Sequence, residues 1–213
     1  MAAMSPAVSA GPIISATDAI INSGASYPDV DNDIVNTYNQ AGLYDQYIDN
    51  ATDFDTYIAS APYHTSDYNN QEWFSDGPDV SVTYDLGRLV NVNALALWNE
   101  ETTGINTFDL FGSNDGVDFY NLASNLTPTD NPFDFDRPNE DYRYLPDRFN
   151  FESSYLQYLR FDISGCHDDT NTFNFCSIGE VAFRVTDVPE PEPLAIFCLG
   201  LLAIAVGKNR TLS

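Results

Sequence analysis

Lysine is nearly missing from this chain: Lys208 is the only one in 213 residues. Lysine and arginine together number 8, against 32 aspartates and glutamates, for a net charge of -24. A surface that acidic repels nucleic acid and anionic lipid headgroups, which excludes both as partners. It favours solubility and gathers divalent cations. Histidine is confined to His64 and His167, far apart, and no His/Cys cluster has zinc spacing. Gly-x-Ser-x-Gly and phosphate-cradling loops are also lacking. Glu100 and Glu101 are adjacent carboxylates on a turn after Trp98, but a glycosidase needs two carboxyls across a cleft of about 5–10 Å. An acidic surface supplies such pairs by chance, and the expectation is a protein that is not an enzyme.

Cysteine is scarce as well. Cys166 and Cys176 flank the polar stretch HDDTNTFNF, and Cys198 stands apart near the C-terminus. If the first two pair, the short loop they close contributes about 3 kcal/mol in the chain-entropy picture. Pairing implies an oxidising compartment; the alternative is two buried, reduced thiols. Against these absences, hydrophobic residues make up 43% and aromatics 14%, enough to build a core despite the charge. The length suits one domain of ordinary size.

Helical periodicity is weak between about Ile13 and Val185, and short alternating runs take its place. VSVTYDLG puts Val80, Val82 and Tyr84 on one face. LVNVNALALW follows with Val90 and Val92, then Leu95 and Leu97. In TFDLFGSNDGVDFYNL, Phe108 and Leu110 face inward, Ser113 to Gly116 turn, and Phe119 returns; Asp115-Gly116 is a strong tight-turn pair. LQYLRFDI aligns Leu159, Phe161 and Ile163, and IGEVAFRV aligns Val181, Phe183 and Val185. Such strands joined by Gly, Asn, Asp and Pro turns predict an all-β fold, an antiparallel β-sandwich. Two stretches break the rhythm. Ala123 to Ser153 shows no clear strand, and Tyr27 to Gln71, rich in Asp, Asn and Tyr, is expected to wrap the sandwich. Within it, DVDND (Asp29 to Asp33) has EF-hand-like spacing, but Ile34 and Gln40 stand where Gly and Glu are required.

The C-terminus reads Val188-Pro189-Glu190-Pro191, then 13 apolar residues from Leu194 to Val206, then Lys208 and Arg210. That run reaches about 20 Å as a helix, short of a hydrocarbon core of about 30 Å, so length alone leaves a thin span and a buried helix both open. The flanks favour a span: Pro189, Pro191 and Pro193 stiffen the approach, and the cations follow at once. This order resembles the PEP-CTERM sorting signal. The resemblance implies a temporary anchor in the inner membrane, processed by an exosortase, and a place at the cell surface or in an exopolysaccharide matrix. At the other end, MAAMSPAVSAGPII lacks a basic n-region, yet AVSA (Ala7 to Ala10) suits signal peptidase. The predicted layout is a signal-peptide remnant (1–10), the β-sandwich (11–186), a Pro-rich linker (187–193), a short transmembrane helix (194–207) and a basic cytoplasmic tail (208–213).

The segments YIDNATDFDTYIAS, NNQEWFS, VSVTYDLG, NALALWNEE, FDLFGSNDGVDF, LRFDISG and SIGEVAF, in this order, resemble the F5/8 type C, or discoidin-like, domain of the galactose-binding-like superfamily. That resemblance implies a jelly roll of eight strands that binds glycans or membranes and often holds structural calcium. It places calcium at Asp53, Asp55 and Thr56, with Glu180 from the last strand, hard oxygen ligands of the right kind. Ordinary turn chemistry for the aspartates, and a solvent-facing Glu180 paired with Arg184, are the alternatives. A sugar site needs a flat aromatic and polar partners for hydroxyls. Tyr142, Arg143 and Tyr144, and Asn99 with Glu100, have the right types; Tyr63, Tyr68 and Trp73 are further choices, although Trp73 beside Phe74 suits a core. The expected function is an exported, carbohydrate-binding surface or matrix module. The alternative is a structural matrix protein crosslinked by calcium.

Overall fold

Alternation becomes two layers because the two longest strands bend. The computed structural model describes residues 11–28, 33–66, 70–131, 143–167 and 174–186. The AVSA stretch, Asp29 to Asn32, Tyr68, Tyr142 and the sorting region (Val188, Pro189, Glu190, Pro191, residues 194–207, Lys208 and Arg210) lie outside the described residues. In chain order the elements are β1 (Ile13–Ile14), β2 (Asp18–Ser23), a 3-10 turn (Ile34–Thr37), α1 (Phe54–Ala59), β3 (His64–Thr65) and β4 (Trp73–Phe74). Then come β5 (Asp79–Asn99), β6 (Ile105–Ser113), β7 (Tyr120–Leu126), β8 (Arg143–Tyr144), β9 (Pro146–Cys166) and β10 (Ser177–Val185).

β5 and β9, 21 residues each, pair antiparallel along most of their length, with a register shift between Asp85 and Val90. Gly87 sits in that shift at φ 72°, a left-handed conformation that favours glycine. On its other edge β5 pairs first with β2 and then, beyond the bend, with β10. The hydrogen-bonded path β1-β10-β5-β9-β6-β7 therefore folds over on itself, and the strands change layer at the bend. One layer holds β2, β6, β7 and the adjoining halves of β5 and β9. The other holds β1, β10 and the remaining halves. This is the antiparallel sandwich expected from the sequence.

The faces meet as the alternation predicts. Val80, Val82, Tyr84, Phe108, Leu110, Leu159, Phe161 and Ile163 pack against Val92, Leu95, Leu97, Val181, Phe183 and Val185. Against β10, one extra β5 residue, Asn93, lies between Val92 and Ala94, which moves the inward positions from even to odd numbers. Trp73 is fully buried in the same core. Cys166 and Cys176 form a disulfide with Cα atoms 5.0 Å apart, tying the end of β9 to the start of β10.

The outer face of the β10 layer is not open to water. Ala94, Ala96, Trp98 and Ala182 present a flat surface on which Leu43, Tyr47, Phe54 and Tyr57 lie. The Asp-, Asn- and Tyr-rich segment does wrap the sandwich, and the small alanines let it sit close. Two expectations change here. Glu180 shares this covered face, so it is buried rather than a solvent-facing partner of Arg184. The stretch from Ala123 to Ser153, expected to lack strands, contributes the end of β7, β8 and the first residues of β9. In β9, Phe149 and Phe151 alternate with Arg148 and Asn150, and Pro146 stands at the first position, where proline is tolerated.

Candidate functional site

Two very short strands place the site. β3 pairs β8 with His64 opposite Tyr144 and Thr65 opposite Arg143, and Leu43 bridges to His64. Successive side chains on extended backbone point to opposite sides. Tyr63 and Arg143 therefore turn outward, and His64 and Tyr144 turn inward.

On the outside, the Tyr44 N–H donates to the Tyr63 carbonyl at 3.1 Å, which brings the two rings together. They stack with centroids 4.7 Å apart and 22° between planes. The Arg143 guanidinium lies 4.1 Å from the Tyr63 ring centre and 5.9 Å from that of Tyr44, within cation–π range. Tyr44 remains 68% exposed. The result is an aromatic shelf with a cation at its edge, on a surface otherwise dominated by carboxylates.

Beneath the shelf is a buried polar cluster. Two glycines make room for it: a Cβ on Gly42 would stand 2.0 Å from His64 Cε1, and one on Gly179 would stand 2.3 Å from the Tyr144 hydroxyl. His64 Nδ1 lies 2.7 Å from the Thr65 carbonyl and 2.8 Å from the Tyr144 hydroxyl, so its proton sits on Nδ1. The Tyr144 hydroxyl in turn donates to Glu72 Oε1 at 2.6 Å. Burial lowers the His64 pKa from 6.5 to about 4 and keeps the ring neutral. Burial, and then the Glu72 charge, pushes the Tyr144 phenol well above its ordinary value. Glu100 closes the β5–β6 turn: its Oε2 accepts from the Thr102 N–H (2.9 Å), the Thr103 N–H (2.6 Å) and the hydroxyls of Thr103 (3.2 Å) and Ser177 (2.6 Å). One carboxylate oxygen from each of Glu72, Glu100 and Glu101 falls within 4.8 Å of the others. Burial, and then the Glu100 carboxylate, raises the Glu101 pKa from 4.5 to about 8.

Of the sugar-contact positions expected from the sequence, Arg143 alone stands exposed among the described residues. Tyr144 and Glu100 are the buried groups just named. Asn99, fully buried, donates to the Ile105 carbonyl and accepts from the Ile105 N–H, pinning the β5–β6 turn. These three are buried in this structure, where they hold the turn and the shelf. Tyr63, an alternative in the sequence, is in the shelf.

The positions matched to calcium do not converge. Asp53 caps α1, its Oδ1 accepting from the Thr56 N–H and hydroxyl. Those bonds hold the Asp53 carboxyl below its usual range. Asp55 is held by Arg148 at 2.5 Å and Arg184 at 3.1 Å. Glu180 accepts the Gln40 N–H at 2.8 Å, and burial holds its pKa well above the ordinary carboxylate value. Asp53, Asp55 and Glu180 thus serve a helix cap, an arginine clamp and a loop anchor, and among the described residues their carboxylates are not gathered into one cluster.

Sequence patterns did not single out Tyr44, Glu72, Gly42 or Gly179, since each acquires its role only from a distant segment. Elsewhere a cleft of about 200 Å³ opens between Ile14, Ser15, Asp49, Asn50, Gly87 and Arg88. It has no aromatic wall.

No family model matches this sequence, and no curated protein matches it. Solved structures do resemble it. One is a variant of chitosan-binding module 1 from a chitosanase/glucanase of Paenibacillus sp. IK-5, at 13% identity and a TM-score of 0.51, covering 82% of this chain and 98% of that one. Another is truncated AlyQ with CBM32 and alginate lyase domains, at 14% identity and a TM-score of 0.53, covering 85% of this chain but only 36% of that one. The shared element is the fold: like these structures, this chain folds as an antiparallel β-sandwich.

Proposed function

We propose that the protein is an exported carbohydrate-binding module without catalytic activity, and that the Tyr44–Tyr63–Arg143 shelf is its glycan platform. The stacked tyrosine pair, with Tyr44 exposed and Tyr63 half-buried beneath it, is the observation that carries this. A pyranose ring presents C–H bonds to an aromatic face and hydroxyls to its rim, and the shelf offers both kinds of partner. The shelf also favours glycan binding over a purely structural, calcium-crosslinked matrix role, which requires no such surface. The fold, shared with a chitosan-binding module, is consistent with this function. The C-terminal pattern Val188-Pro189-Glu190-Pro191 with Lys208 and Arg210 supports sorting through an exosortase to the cell surface or matrix.

The test is affinity electrophoresis of the full chain in gels containing alginate, chitosan or galactan, at an ionic strength that screens bulk charge. Covering about 60 Å² of one tyrosine face at about 25 cal/mol per Å² is worth about 1.5 kcal/mol, roughly tenfold in affinity. Retardation by at least one polysaccharide should weaken about that much in Tyr44→Ala and in Tyr63→Ala. Retardation unchanged in both variants, or absent with all three polysaccharides, sinks the proposal.

A further inference from the structure

The three carboxylates beneath the shelf are more than supports. They come from the segment before β4 and from the β5–β6 turn, and all are buried: Glu72 is 1% exposed, Glu100 4% and Glu101 9%. Like charges repel strongly where water is excluded, and here three carboxylate oxygens lie within 4.8 Å of one another. No ion pair with lysine or arginine relieves Glu100 or Glu101 among the described residues. The donors to Glu100 all fall on one oxygen, Oε2.

A second observation points to a ligand. Glu101 Oε2 is buried and has no hydrogen-bond partner. A buried carboxylate oxygen without a donor is costly, and Glu101 belongs to the one group of three acidic residues gathered this closely among the described residues. The donors are all oxygen, the preference of a hard cation. His64 is not a member of this group, so no imidazole nitrogen joins the three carboxylates.

We propose that Glu72, Glu100 and Glu101 form a binding site for one calcium ion, separate from Asp53, Asp55 and Glu180. The ion joins the β5–β6 turn to the chain entering β4. Through the Tyr144–Glu72 hydrogen bond it also steadies the β3–β8 pair that carries the shelf.

The experiment is calorimetric titration of the full chain with calcium chloride, after stripping with EDTA, in 150 mM KCl and 5 mM magnesium chloride to suppress weak surface binding. The expected result is one saturable site, with a melting temperature that rises by several degrees at a calcium concentration about 100 times Kd. Glu101→Gln and Glu72→Gln should each weaken binding at least about tenfold. Asp55→Ala should leave it unchanged. Melting of each variant in EDTA shows that it is folded, and glutamine keeps the shape of the side chain it replaces. Absence of saturable binding, or binding lost in Asp55→Ala and kept in Glu101→Gln, overturns the proposal. In the first case the cluster is relieved by a shared proton instead. The titration contains no polysaccharide, so its outcome is independent of the glycan proposal.

Discussion

Replacing Gly42 with alanine probes the packing that sets the inner face of the site. The new Cβ would stand 2.0 Å from His64 Cε1 and 2.1 Å from Nε2, where even crowded contacts stay above 3.0 Å. Something must therefore move by about 1 Å. The ring is fully buried, bonded through Nδ1 to Thr65 and Tyr144, and tilted against the Tyr144 ring at 5.0 Å. Overpacking costs about 1–3 kcal/mol, and a buried hydrogen bond left unmade adds about 1–3 kcal/mol. Together these give about 2–6 kcal/mol, a fall in melting temperature of roughly 4–24 °C for a domain of this size. Differential scanning calorimetry of Gly42→Ala, His64→Ala and the double variant closes a thermodynamic cycle. With the ring gone the alanine has space, so the double variant should melt close to His64→Ala, with a coupling of at least about 1 kcal/mol. A single variant that melts within about 1 °C of wild type, or two effects that simply add, refutes the packing argument.

Other outcomes follow from the same geometry. The Cys166–Cys176 disulfide closes a loop with a sequence separation of 10, worth about 3 kcal/mol; reduction and the Cys166→Ser/Cys176→Ser pair should both lower the melting temperature, and no change in either would discount the staple. His64 has a folded pKa of about 4 against 6.5 unfolded. The unfolded chain therefore binds the extra proton, and this contribution is complete above pH 6.5 and lost as pH falls toward 4. At about 1.4 kcal/mol per unit the loss is about 3 kcal/mol. Urea midpoints from pH 7 to pH 4 should fall less steeply in His64→Gln than in wild type, and parallel curves would contradict the buried neutral ring. Asp55→Ala removes the carboxylate between Arg148 and Arg184. These pairs are about one-third exposed on the Asp55 side, so the cost in melting experiments should stay near about 1 kcal/mol, and a larger loss would mean the clamp is more than a surface pair.

Local pattern and tertiary structure divided the determination of this protein unevenly. Alternation along Val80, Val82 and Tyr84, or Leu159, Phe161 and Ile163, is set by the two-residue period of a strand, so sequence alone placed the core faces. Asp115-Gly116 marked its turn for an equally local reason: Ser113 and Asp115 bond the backbone ahead, and Gly116 takes φ 76°. The pairing of Cys166 with Cys176 needed only a short polar loop. Parity could also tell that Glu180 faces away from the main core, but not that a loop from 140 residues earlier covers it. The site was hidden for the same reason. Arg143 and Tyr63 look like ordinary loop residues until β3 meets β8, and His64 and Tyr144 touch across 80 residues. Glu100 and Glu101 read as one more acidic pair on an acidic chain until Glu72 arrives from another segment and water is excluded. Strand identity is a short-range property of side-chain alternation; which charges share a buried space depends on how distant segments close over one another, and that only the folded chain decides.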